Sequence, residues 1–226
     1  MRDGDVRRVL LGRLNVTYGV DPTTIVVEEL GLCRGTVRAD VAVVNGCLKG
    51  YEIKSDKDTL KRLSRQSEVY NKVFDTVTLV VGESHLNQAK DVVPSWWGIE
   101  TAHSDEPSSS VYLASFRSEG PNPGIEPLDL VQLLWRDEVL GLLSRADPSR
   151  RIASKPRKYL WQALVDLLPL EQLKDVVRET LKSRTRWRAG AERTPGDEMS
   201  QPSAKSSGCQ FQQTRSRSRR YIHRPN

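Results

Sequence analysis

Cysteine is scarce in this chain, with three in 226 residues (Cys33, Cys47, Cys209) and no C-x-x-C spacing. Neither a disulfide framework nor a structural zinc site is expected from so sparse and odd a set. The histidines, His85, His103 and His223, are scattered, and none lies at ligand spacing from a cysteine or another histidine. Imidazole and thiolate metal chemistry has nothing to stand on, which leaves oxygen donors for a hard cation. No apolar run approaches the roughly 18–20 residues of a membrane span. The opening MRDGDVRRVLLGRL has no apolar h-region and no small-residue cleavage site, so no signal peptide is expected and the cytoplasm is the expected compartment. Gly-x-Gly-x-x-Gly, the P-loop pattern and Gly-x-Ser-x-Gly are also missing. A glycine-rich nucleotide cradle and a serine-hydrolase elbow go with them.

What is present is a polar chain, 37 % hydrophobic and 28 % charged, long enough for one sizeable core and an appended module. Its net charge of +6 is uneven: residues 183–226 hold ten Lys/Arg against three acids, so the first 182 residues sum to −1. From about residue 189 onward Gly, Pro, Ser, Gln and Arg dominate, which predicts a disordered basic tail over 189–226. Its Arg-Ser-Arg-Ser-Arg-Arg run (Arg215–Arg220) fits either salt-sensitive nucleic-acid affinity or a solubilising end.

Apolar periodicity predicts a first helix over Asp5–Leu14 with Asp5 as its cap, and the β-branched run Thr24–Leu32 predicts a first strand. Val37–Val44 and Leu48–Ser55 read as strands around Asn45-Gly46, followed by a helix to about Phe74 and a buried strand at Asp75–Val81. Ser84–Val93 reads as a helix, with short strands at Trp97–Ala102 and Val111–Phe116. The expected class is α/β, a mixed sheet sandwiched by helices over residues 1–119. Gly120-Pro121-Asn122-Pro123-Gly124 marks a boundary, after which three helices, about Leu128–Ser144, Lys155–Leu168 and Pro169–Arg184, form a helical module at 125–188. Trp135, Trp161 and Trp187 are expected as its core or cap residues.

The chemistry concentrates in Arg38–Tyr70, RADVAVVNGCLKGYEIKSDKDTLKRLSRQSEVY. Asp40 precedes Glu52-Ile53-Lys54 at hairpin distance, and Gln66 and Tyr70 stand at i and i+4 on the next helix. Phosphodiester hydrolysis needs a cation to neutralise non-bridging oxygens and acidify a water, and Mg²⁺ needs only one or two protein carboxylates. Asp40 and Glu52 can supply them, with Lys54 orienting the water or stabilising developing charge. The geometry has a condition. A two-residue Asn45-Gly46 turn would put Asp40 and Glu52 on opposite faces, whereas a three-residue loop with Gly46 left-handed, or a bulge at Gly50, brings Asp40, Glu52 and Lys54 together. The bland reading is an edge hairpin with a solvated charged face, since Glu-x-Lys is common by chance.

These residues resemble the PD-(D/E)XK nuclease superfamily, Asp40, Glu52 and Lys54 matching its Asp…Glu-x-Lys motif and Gln66…Tyr70 the Gln-x-x-x-Tyr motif of its RecB-like branch. The wording also resembles a family of small bacterial proteins with that core, from about Val27 to Gly98. The resemblance implies a restriction-endonuclease-like αβββαβ core, Mg²⁺ or Mn²⁺, and a nucleic-acid partner, DNA foremost. It further implies the Ile53 carbonyl as a metal ligand. Ala39 stands where the motif's name has Pro. The acid many members carry on the first helix is missing, Asp5 being only a cap; Glu29 is the substitute, weighed evenly against a surface strand glutamate. Tyr70 as packing and Gln66 as solvated surface are the plain alternatives to roles at the site, and Arg62 and Arg65 fit either phosphate contacts or a soluble face. The expected activity is metal-dependent DNA hydrolysis; the alternative is a nucleic-acid-binding or adaptor protein on the same fold, without turnover.

Overall fold

The computed structural model describes residues 1–105, 110–149 and 151–184, all within one compact unit, Met1–Gly190. The expected tail at 189–226 and Trp187 lie outside the described residues. The chain is α/β. A six-stranded mixed sheet runs in the order β1 (Ile25–Leu32), β2 (Val37–Val44), β3 (Leu48–Lys54), β4 (Thr76–Gly82), β5 (Gly98–Asp105), β6 (Ser110–Arg117). β1–β2–β3 is an antiparallel meander, β3–β4 and β4–β5 are parallel crossovers, and β6 returns antiparallel. Among the described residues no helix is long and apolar enough to cross a membrane.

Each face of the sheet buries a separate core. On one side α1 (Asp3–Tyr18) lays Val6, Leu10 and Leu14 against Val41, Val43, Tyr51, Ile53, Val80 and Ala102. This spacing of three to four residues is one helix face, and the strand residues alternate as a pleat requires. On the other side α2 (Leu63–Tyr70) and α3 (Leu86–Val92) cover the sheet. So do α4 (Pro127–Val131), α5 (Arg136–Ala146), α6 (Arg157–Leu167) and α7 (Leu170–Ser183), whose Leu130, Leu143, Leu164 and Val177 belong to the same apolar cluster as Val77 and Leu79 of β4. The helices of the expected 125–188 module thus share their core with the sheet.

Several boundaries differ from the sequence expectation, each for a visible reason. α1 begins two residues before Asp5, whose carboxylate accepts the Arg2 amide at 3.1 Å as the third helical residue. The segment before α2 opens with a 3₁₀ turn at Leu60–Arg62, since Asp58 turns back to accept Ser55 N and Oγ. The predicted helix Leu128–Ser144 is two, because Glu138 accepts the Trp135 amide at 2.7 Å and starts α5 afresh. Trp161 is buried, but Trp135 is 53 % exposed and serves as a platform for the Arg184 guanidinium, 4.1 Å from its ring centre.

The β2–β3 connection is the feature that positions the site. Val44 pairs with Leu48, so the loop is Asn45-Gly46-Cys47, of the three-residue length that puts Asp40 and Glu52 on one face. Gly46 is not left-handed; the Asn45 side chain closes the loop by accepting the Cys47 amide at 2.8 Å. No bulge forms at Gly50, which is glycine because a Cβ there would sit 2.7 Å from the buried Phe74 ring.

Candidate active site

The β2–β3 ladder stops at Val41–Tyr51, while β3 stays paired with β4 as far as Lys54–Val81. The sheet therefore forks between β2 and β3 just where the motif lies. β1 and β2 change face together at the same level. Ile25, Val27, Leu30 and Leu32 all point into one core, as do Val37, Ala39, Ala42 and Val44, so both strands skip a beat between Glu28 and Leu30 and between Ala39 and Ala42. Glu29 carries the skip in its backbone with a left-handed φ of 55°. That conformation costs a non-glycine residue about 1 kcal/mol.

The fork frees one backbone amide that a continued ladder would have consumed, and Asp40 takes it. Its Oδ2 accepts Ile53 N at 2.7 Å, placing the carboxylate between the diverging strands. A strand residue's carbonyl leaves on the same side as its amide. The Ile53 carbonyl accordingly faces the cleft too. Glu52 is 1 % exposed and collects three donors: Lys54 Nζ and Gln66 Nε2 at 2.5 Å each on Oε1, and the Tyr70 hydroxyl on Oε2. A buried carboxylate requires such partners. Burial first, and the Asp40 charge second, push the Glu52 carboxyl up to about 6, with Lys54, through its charge and hydrogen bond, and Tyr70 pulling the other way. Burial and the adjoining Glu52 also hold the Tyr70 phenol well above its ordinary value. Tyr70 is both packing and site: its ring stacks on Trp97 at 5.6 Å, and its hydroxyl also donates to the Arg38 carbonyl at 3.2 Å.

Asp40, Glu52, Ile53, Lys54, Gln66 and Glu29 line one cavity of about 520 Å³, while Tyr70 lies behind its wall. Arg38, Arg62 and Arg65 line it as well, the latter two exposed and without an acidic partner among the described residues. Asp56 and Asp75 stand elsewhere: Asp56 accepts Ser84 Oγ, and Asp75 accepts the Leu48 amide and pairs with Lys174 and Arg178.

Two of the cavity residues that sequence reasoning missed lie on α1. Asp3 lies inside the helix and lines the cavity, and Arg7, one turn on, reaches across it. The Arg7 guanidinium donates to Asp40 Oδ1 at 2.9 Å and to the Asp40 carbonyl at 3.0 Å, and pairs with Glu29 and Asp3 at 3.3 Å each. Burial pulls its proton affinity down, but Asp40 and Asp3 more than offset this, so it stays charged. The signal available was Asp3 and Arg7 at i and i+4 beside the buried Val6 stripe. Glu28 also comes within 4.0 Å of Arg7, because the left-handed Glu29 cancels the strand alternation that would turn the two neighbours to opposite faces.

Among the described residues no three Asp, Glu, His or Cys side chains converge as a ready-made metal cage. The donor set nevertheless fits a small hard cation that keeps several of its waters. Asp40, Glu52 and the Ile53 carbonyl are oxygen donors at one fork. Gln66 Oε1 is buried there with no donor, a position that an ordered water would satisfy.

Protein cII of Enterobacteria phage P4 is 25 % identical over 184 residues, 81 % of this chain and 68 % of that protein. Among solved structures, a protein of unknown function from Silicibacter pomeroyi is 18 % identical with a TM-score of 0.41, over 66 % of this chain and 93 % of its own. The bacteriophage P4 protein cII family matches residues 2–199 of the sequence, and the chain belongs to that family.

Proposed function

We propose that the chain is a metal-dependent nuclease that hydrolyses DNA phosphodiester bonds, on a restriction-endonuclease-like core of the PD-(D/E)XK superfamily. The observation that carries this reading is the sheet fork. It gathers Asp40, the Ile53 carbonyl and a Glu52 gripped by Lys54, Gln66 and Tyr70 at the wall of one arginine-rimmed cavity. The element order α1–β1–β2–β3–α2–β4 agrees with the αβββαβ core that the motif implies.

Asp40, Glu52 and the Ile53 carbonyl would hold Mg²⁺ or Mn²⁺, with Glu29 as a further carboxylate. The ion, when bound, neutralises the non-bridging oxygens and acidifies the attacking water. Lys54 has two tasks. It compensates the buried Glu52 charge, and from the same face it orients the water and stabilises charge that builds on the phosphorus centre. Gln66 and Tyr70 fix the Glu52 rotamer through hydrogen bonds to opposite oxygens. Arg62 and Arg65, free at the rim, position the backbone through flanking phosphates.

The protein incubated with single- and double-stranded DNA and Mg²⁺ or Mn²⁺ should cut it, and Asp40→Ala and Lys54→Ala should each abolish cutting. Cleavage that survives EDTA or either substitution refutes the reading. The saturation of Glu52 by protein donors favours the second reading, a nuclease-fold nucleic-acid-binding or adaptor protein without turnover. It predicts salt-dependent DNA binding with no nicking in either metal.

A further inference from the structure

The Arg7 guanidinium occupies the space between two carboxylates, Asp40 at 2.9 Å and Glu29 at 3.3 Å, that the metal-dependent reading assigns to an ion. It also reaches the Asp40 carbonyl at 3.0 Å and Asp3 at 3.3 Å, while Arg38 pairs with the other Glu29 oxygen at 3.4 Å. A planar fork fits this bidentate hold on one residue far better than an ammonium would. Without Arg7, Asp3, Glu29 and Asp40 would repel one another across the cavity. The site thus already contains a cation, carried on a side chain only 18 % exposed and attached to a different element from Asp40 and Glu29.

Resting on the metal-dependent reading above, we propose that Arg7 is the resident counter-ion of this site and exchanges partners when metal and DNA bind. A divalent ion displaces the guanidinium from Asp40, and the released N–H donors take up a non-bridging phosphate oxygen of the substrate. Arg7 is then a positioning residue for Asp40 in the free protein and a phosphate ligand in the complex. Metal and DNA bind cooperatively as a result, because DNA supplies the new partner that the displaced guanidinium needs. Only local movement is required: Asp40 keeps the Ile53 amide on Oδ2 while Oδ1 changes its cation.

The test is Mn²⁺ binding measured calorimetrically on the full chain, with and without a short DNA duplex, for the natural protein, Arg7→Gln, Arg7→Lys and Asp40→Asn. In the absence of DNA, Arg7→Gln should bind Mn²⁺ about tenfold more tightly than the natural protein, the size of one charge-assisted hydrogen-bonded pair no longer broken. DNA should tighten Mn²⁺ binding in the natural protein and leave Arg7→Gln unchanged. Arg7→Lys keeps the charge but loses the fork, so it should fall between the two and covers the case in which Arg7→Gln fails to fold. Mn²⁺ binding that is lost in Asp40→Asn yet indifferent to both Arg7 variants overturns the inference and leaves the metal site standing. No Mn²⁺ binding by any of the four proteins overturns both. Arg7-dependent Mn²⁺ binding without any DNA cleavage supports the inference and refutes the nuclease reading alone.

Discussion

In the metal-free protein, Glu52 should contribute a loss of stability as the pH rises from 4.5 through about 6. Its carboxyl is 1 % exposed and is pushed from an ordinary 4.5 to about 6, chiefly by burial and then by the Asp40 charge. The folded form holds the Glu52 proton to higher pH than the unfolded chain does. Across that window the native state binds more protons, so stability falls as pH rises. At about 1.4 kcal/mol per pH unit, the rise from 4.5 to about 6 is worth about 2 kcal/mol. Other groups titrate in the same range, so the informative quantity is a difference. Urea unfolding in EDTA, run from about pH 4 to about pH 8 on the natural protein and on Glu52→Gln, should give two curves whose separation changes by about 2 kcal/mol. Adding Mn²⁺ at the alkaline end should restore the natural protein and not the variant. A separation that stays constant across the range would refute the premise that Glu52 titrates as a buried acid.

Lys54→Met leaves Glu52 buried without its cation; at alkaline pH this should cost about 3 kcal/mol of stability, and much less near pH 5, where Glu52 takes up a proton. Equilibrium unfolding at the two pH values checks it, and an equal loss at both would contradict the pairing. Gly50→Ala drives a methyl to within 2.7 Å of Phe74, a fully buried ring, and should cost about 1–3 kcal/mol in the same assay. Glu29→Gly releases the left-handed backbone at φ 55° and sacrifices only half-exposed ion pairs to Arg7 and Arg38, so it should leave stability unchanged or raise it by up to about 1 kcal/mol. Its Mn²⁺ binding should weaken nonetheless, and a thermal-shift titration reads both effects; tighter binding would remove Glu29 from the ligand set.

The strands were legible because they are short β-branched runs bounded by turn residues, and Asp40, Glu52 and Lys54 because a hairpin brings such spacing together. The break between α4 and α5 was not, since Trp135 is no ordinary helix cap; the start of α5 depends on Glu138, which Arg184 anchors from 46 residues away. Arg7 was hidden for a related reason. Its place at the site depends on the paired change of face at Glu29 and Asp40, and both strands carry uninterrupted pairing on either side of it. Periodicity reports faces and is blind to the point where two strands exchange them together.

The fork between β2 and β3 is an unfinished seam. Two more rungs of pairing would zip Ile53 onto β2, make a tidier sheet, and erase the cavity. What prevents this is a single acid inserted where a backbone carbonyl would otherwise go: Asp40 accepts the Ile53 amide with its side chain and so holds the strands apart. A substitution such as Asp40→Val therefore does more than delete a carboxylate, because it allows the seam to close over the place where the carboxylate stood. Asp40→Asn, which still offers an oxygen to the Ile53 amide, keeps the seam open and separates the architectural duty of this residue from its chemical one.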